Sequence, residues 1–194
     1  MTKNPIPASA LVSQSPETGA SIPPLTLEIH SQGFTGKDQL VVEEGTTTTL
    51  FYYSHHSNVF AWDAELKSGG PQGRVVCRAS KGFSSSFKVS LADGRGCDCV
   101  STGVMAATHE FKSPSGTPYK WKNVGHVGDG AELALTDLTV PGKQKMVATW
   151  HTKNGLSRKR GILRISRDYM HELDIICTTA LGMHALERAR RHNR

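Results

Sequence analysis

Several signals are missing from this chain, and each absence removes a class of function. Only four cysteines occur in 194 residues: Cys77, Cys97, Cys99 and Cys177. They are too few and too scattered for a disulfide scaffold, which points to a reducing compartment. The N-terminus reads MTKNPIPASALVSQSPETGASIPP. It lacks the basic segment and apolar core of a secretory signal, and it lacks the arginines of a transit peptide. No stretch reaches the roughly 20 apolar residues that a membrane-spanning helix needs. There is no G-x-S-x-G, H-E-x-x-H, P-loop or dinucleotide fingerprint, and the carboxylates are scattered, which argues against an enzyme. No cofactor and no metal are expected. The sequence reads as a cytoplasmic protein, at most peripheral to a membrane; a nuclear location is compatible with the same features.

Two local absences organise the rest. From residue 175 to 186 there is no Asp, Glu, Lys or Arg. Wound at 3.6 residues per turn, this stretch is apolar or small all round, whereas a surface helix has one apolar stripe and one charged face. Such a helix must be enclosed on every side. It is too short to cross a bilayer, so protein is the expected enclosure. The second gap is of acids: residues 143–167 contain eight Lys or Arg and no Asp or Glu.

The net charge of +6 follows this pattern. Residues 1–142 hold 11 Lys/Arg and 13 Asp/Glu, whereas residues 143–194 hold 12 and 4. The positive excess is therefore C-terminal, and it suits an anionic partner.

Residues 1–23 are rich in Pro, Ser and Thr without apolar periodicity, and they read as a disordered tail. Residues 24–194 read as one domain. About a dozen short alternating or β-branched runs follow one another, bounded by turn residues, with no helix between them. Strands in that order imply an antiparallel sheet. A flat sheet of that width would leave edges and an uncovered face, and closing it into a barrel removes both problems. A barrel this wide is not filled by its own side chains. The fold class expected is mainly β: a closed antiparallel barrel of about 12 strands around a central C-terminal helix at 169–191. Asp168, Glu172 and Asp174 near the helix start, and Arg188, Arg190 and Arg191 near its end, complement the helix dipole.

Three stretches carry a resemblance. Phe111…Gly116…Tyr119-Lys120-Trp121-Lys122 is similar to an F…G…Y-K-W-K strand pair, Met146-Val147-Ala148-Thr149-Trp150 to a penultimate strand, and Leu173-Asp174-Ile175-Ile176-Cys177-Thr178-Thr179-Ala180-Leu181 to an L-D-x-I-V-x-T-A-L helix core. Over residues 25–191 the chain thereby resembles the tubby-like superfamily, which includes the tubby C-terminal domain, the phospholipid scramblases and the LURP-one-related proteins. The nearest likeness is to a fungal branch of unassigned activity. The resemblance implies a barrel around a helix and an association with lipid. The tubby phosphoinositide motif and the scramblase calcium-binding segment have no counterpart here, so neither function carries over by residue.

The candidate site is the basic hairpin. Asn154-Gly155 is a strong two-residue turn signal. It gathers Lys153, Arg158, Lys159 and Arg160 at one tip, with Arg164 further along. Such a tip suits the phosphates of anionic lipid headgroups. A solvated hairpin whose charges discourage edge pairing is the plain alternative. Nucleic acid is disfavoured because no binding motif accompanies the charge. A protein-interaction or scaffold domain using residues 1–23 as an arm is the second functional expectation. Cys97-Asp98-Cys99 lacks the second ligand pair of a zinc site. His55-His56 reads as a turn with solvated rings, and His184 as a core histidine bonded to a strand carbonyl.

Overall fold

Alternation sets the wall of this molecule. In β1 (Leu25–Gln32) every second residue is buried, and Leu25, Leu27 and Ile29 face the core. The same period of two recurs in β4 (Trp62–Ser68) and β6 (Phe87–Leu91), as expected for a sheet with one face covered. The computed structural model describes residues 22–33, 37–57, 61–102, 108–127, 130–152 and 159–192. Residues 1–21 of the expected tail lie outside them.

The other strands are β2 (Asp38–Glu43), β3 (Thr49–Ser57), β5 (Val75–Lys81), β7 (Gly96–Ser101), β8 (Thr108–Lys112), β9 (Pro118–Val127), β10 (Gly130–Asp137), β11 (Lys145–Thr152) and β12 (Lys159–Ile165). Each pairs antiparallel with its neighbours in sequence. The sheet then closes, because β1 pairs with β12 from Leu25 opposite Ile165 to His30 opposite Lys159. The result is a closed twelve-stranded barrel.

Because strands alternate in direction, every even strand stops at one end of the barrel and every odd strand at the other. β12 stops at Ile165, and a 3-10 turn (Arg167–Glu172) leads at once into α1 (Leu173–His192). We call this the entry end and the opposite one the exit end. The helix is enclosed as its lack of charge demands: every residue from 175 to 183 is buried. Partners come from around the wall. Trp121 Nε1 of β9 donates to Thr179 Oγ1 at 3.0 Å, His184 stacks on Trp150 of β11 with centroids 5.0 Å apart, and Gly182 faces the Phe87 ring of β6. A helix of 20 residues is about 30 Å long and traverses the barrel. Thr178 and Thr179 hold their hydroxyls on the helix carbonyls of Asp174 (2.7 Å) and Ile176 (3.2 Å), so no polar burden falls on the apolar wall there.

Local expectations shift in two places. The helix expected from residue 169 begins at Leu173, after the 3-10 turn. His55 and His56 do not form a turn: both lie in β3, paired with Ala64 and Asp63 of β4. Their alternation sends His56 outward, while His55 is half-buried, stacked on Tyr53 and tilted against Trp62.

Candidate functional site

The two ends of the barrel are built differently. At the entry end the polar groups are spent on joining the helix start to the wall. Glu172 is only 6 % exposed, and its Oε1 accepts hydrogen bonds from the hydroxyls of Ser113 (2.7 Å) and Ser115, both in the β8–β9 turn. Tyr119 is buried beside it, and burial together with the neighbouring Glu172 carboxylate pushes its phenol far upward. Tyr169 donates to Asp137 Oδ2 at 2.7 Å. A cleft of about 310 Å³ opens here between Arg74, Asp93, Arg95, His171, Glu172 and Asp174. Arg95 and Asp93 neutralise each other at 2.7 Å, and the Arg95 hydrogen bonds hold the Asp93 carboxyl below its usual range. Burial raises the Asp174 carboxyl. Among the described residues, no group of three or more His, Cys, Asp or Glu could hold a metal ion. That covers Cys97 and Cys99, which share the inner side of β7.

The exit end borders two basic segments of the chain. The β11–β12 connection departs from Thr152 and returns at Lys159, and both of these residues are at that end. The helix arrives there too. Lys81, the last residue of β5, is lowered in pKa by burial and then by the charge of Arg190. His55 is pushed down to about 4 by burial, then by the charges of Lys37, Arg188 and His56. His109 is lowered by burial, with Arg190 contributing in the same direction. Cations from β3, β5, the β1–β2 connection and the helix terminus therefore act on one another across the rim. Asp38, Asp63 and Glu187 are among the acids at this end, and Glu187 is paired with Arg190 at 2.8 Å.

The residues expected to form the basic site are distributed as follows. Lys153 and Arg158 lie outside the described residues, as does the Asn154-Gly155 turn between them. Lys159 and Arg160 open β12 at the exit end. Arg164 is exposed but pairs with Thr26 and Thr149 near the entry end. Four residues of strand carry it about 13 Å from Arg160. It does not share the hairpin tip, because the strand that holds the tip is also the strand that runs away from it.

Phe83 belongs to none of the expected sites. It stands in the β5–β6 connection at the exit end and is 88 % exposed. A phenylalanine flanked by Gly82 and three serines, in a segment too polar to be core, was the available signal.

No protein-family model matches the chain, and no curated protein or solved structure matches it either.

Proposed function

We propose that this barrel binds anionic phospholipid at a membrane surface, without catalysing a reaction, through the basic rim of its exit end. The observation that carries the reading is that the strand ends bounding one basic segment and the basic end of the helix belong to the same end of the barrel. The β11–β12 connection is bounded there by Thr152 and Lys159, and Arg188 and Arg190 of the helix exert their charge on residues of the same rim. Juxtamembrane cations gain about 1 kcal/mol each near an anionic lipid surface, so a handful suffices for reversible docking. The closed barrel around a C-terminal helix is the fold that a likeness to the tubby-like superfamily implies, and it supports that part of the reading.

The test is co-sedimentation with phosphatidylcholine vesicles, with and without phosphatidylserine. Binding is expected only with the anionic lipid and weakens as salt rises. Alanine at Lys153, Arg158, Lys159 and Arg160 together lowers affinity by a factor on the order of 10²–10³. R164A, at the other end, leaves it nearly unchanged. Equal binding to neutral vesicles, or full binding by the quadruple variant, rejects the reading.

A scaffold role through the N-terminal segment is the second reading. The Arg167 side chain donates to the Pro23 carbonyl at 3.4 Å, which places residue 23 at the entry end. A pull-down that needs residues 1–23 but tolerates the quadruple variant favours it.

A further inference from the structure

The cleft at the entry end holds charges that do not answer one another. Its volume of about 310 Å³ lies at the lower end of the range of small-molecule sites, about 300–1,000 Å³. One wall comes from Arg74 and Val76, where β5 starts, and from Leu91, where β6 ends. The other comes from the 3-10 turn and the helix start, with Glu172, Asp174 and Ile175. At the mouth, Asp93 and Arg95 are spent on each other at 2.7 Å. Three groups are not spent. Arg74 is exposed, and its guanidinium has no ion pair and no hydrogen bond among the described residues. Asp174 is half-buried, and burial raises its carboxyl with no cation or donor beside it to offset the rise. Glu172 is only 6 % exposed, and the two serines hold its Oε1. Its Oε2 is buried and accepts nothing, and the buried Tyr119 hydroxyl beside it is unbonded as well.

A cation on one wall and two carboxylates on the other thus face one cavity without pairing across it. Charge taken partly out of water without a partner loses hydration and gains nothing in return. A guest that carries both signs supplies the partners. The acids are too few for a metal, because no group of three or more His, Cys, Asp or Glu among the described residues could hold one. An organic ammonium makes no such demand, since it needs only acceptors for three N–H donors and imposes no coordination number. Arginine in turn matches a carboxylate with two parallel hydrogen bonds. Val76, Leu91 and Ile175 offer apolar surface to the hydrocarbon between or beside the two charges.

We propose that the entry-end cleft binds a small zwitterion of the amino-acid class with an apolar body. The ammonium meets Asp174 and Glu172, and the carboxylate takes the Arg74 fork. This site lies at the opposite end from the basic rim and stands or falls independently of the lipid-binding reading.

Amide resonances of the isotope-labelled full chain, followed during titration, test this. Two probes are zwitterions that differ in charge separation, L-leucine and ε-aminocaproate. Two carry one sign each, isoamylammonium and isocaproate. At least one zwitterion is expected to shift the amides of Arg74, Val76, Leu91 and Asp174, and to bind about tenfold or more tighter than either single-charge probe, the scale of one charged hydrogen bond. D174N weakens it by a similar factor. R74Q decides the matter if D174N does not fold, because Arg74 is exposed and unpaired. It lowers the zwitterion's affinity about tenfold, leaves that of isoamylammonium unchanged and does not move the thermal midpoint. The proposal is overturned if neither zwitterion shifts these amides at millimolar concentration, or if R74Q binds them as the wild-type chain does. Equal binding of zwitterion and isoamylammonium also overturns it, by making the cleft a site for cations alone.

Discussion

Trp121 of the wall donates its indole N–H to Thr179 of the central helix at 3.0 Å, with both residues fully buried. It joins β9 to α1 inside a region closed off from bulk solvent. T179V keeps the shape and removes the acceptor, stranding the indole N–H at a cost of about 1–3 kcal/mol. Adding W121F removes the stranded group, so the double variant costs less than the two single ones summed. Chemical denaturation of the four proteins of the cycle checks this; strict additivity argues that the bond contributes nothing.

Gly182 offers a case where helix propensity points the wrong way. Replacing glycine by alanine inside a helix ordinarily gains up to about 1 kcal/mol. Here an added Cβ would stand 2.8 Å from Phe87 Cε2, and that ring is wedged between Trp62 and His109. G182A is expected to destabilise by about 1–3 kcal/mol, as overpacked cores do. Combining it with F87L restores part of the loss, and thermal melts of the three variants distinguish the outcomes.

His55 makes stability depend on pH. In the folded state it stays neutral down to about pH 4, whereas the unfolded chain takes up the proton near the ordinary histidine value of 6.5. Between these values the unfolded state binds more protons, so stability falls as pH drops from 6.5 towards 4. His109 is lowered as well and acts in the same direction. H55Q flattens part of the dependence of the thermal midpoint between pH 4 and 7. An unchanged slope would show that His55 already titrates at its ordinary value.

The thiols sort by position. Burial pushes Cys77 up to about 12 and raises Cys99 and Cys177 as well, and all three are closed off from solvent. Cys97 is the partly exposed one. A thiol reagent at neutral pH therefore titrates one group quickly and three only on unfolding, and C97S abolishes the fast phase.

The helix in its sleeve is the part of the fold that the sequence discloses best. A charge-free run from Ile175 to Leu186 has few solutions in water, and a dozen short alternating runs upstream supply the one that is built. Enclosure is a property of a whole segment, so it survives errors at single residues. The ties of the entry end are different in kind. Ser113 and Ser115 reach Glu172 across 59 and 57 residues of chain, and nothing local to either marks the contact. The placement of Arg164 escapes for a related reason: the sequence groups it with Arg158, Lys159 and Arg160, but strand direction carries it to the opposite end. His55 was read from its neighbours as a turn, whereas pairing with β4 extends β3 through it. Phe83 stands outside the expected sites because core-seeking patterns skip an apolar residue in a serine loop.

The pairing of β1 with β12 has a bearing on biosynthesis. Leu25 waits for Ile165, and Leu27 for Leu163. At ribosomal speeds of 5–20 residues per second, the interval is roughly seven to thirty seconds. Throughout it the growing sheet has an open seam, and the helix that fills its hollow is made later still. The nascent chain thus carries its largest sticky surface for nearly the whole of translation, and it loses that surface in a single late event.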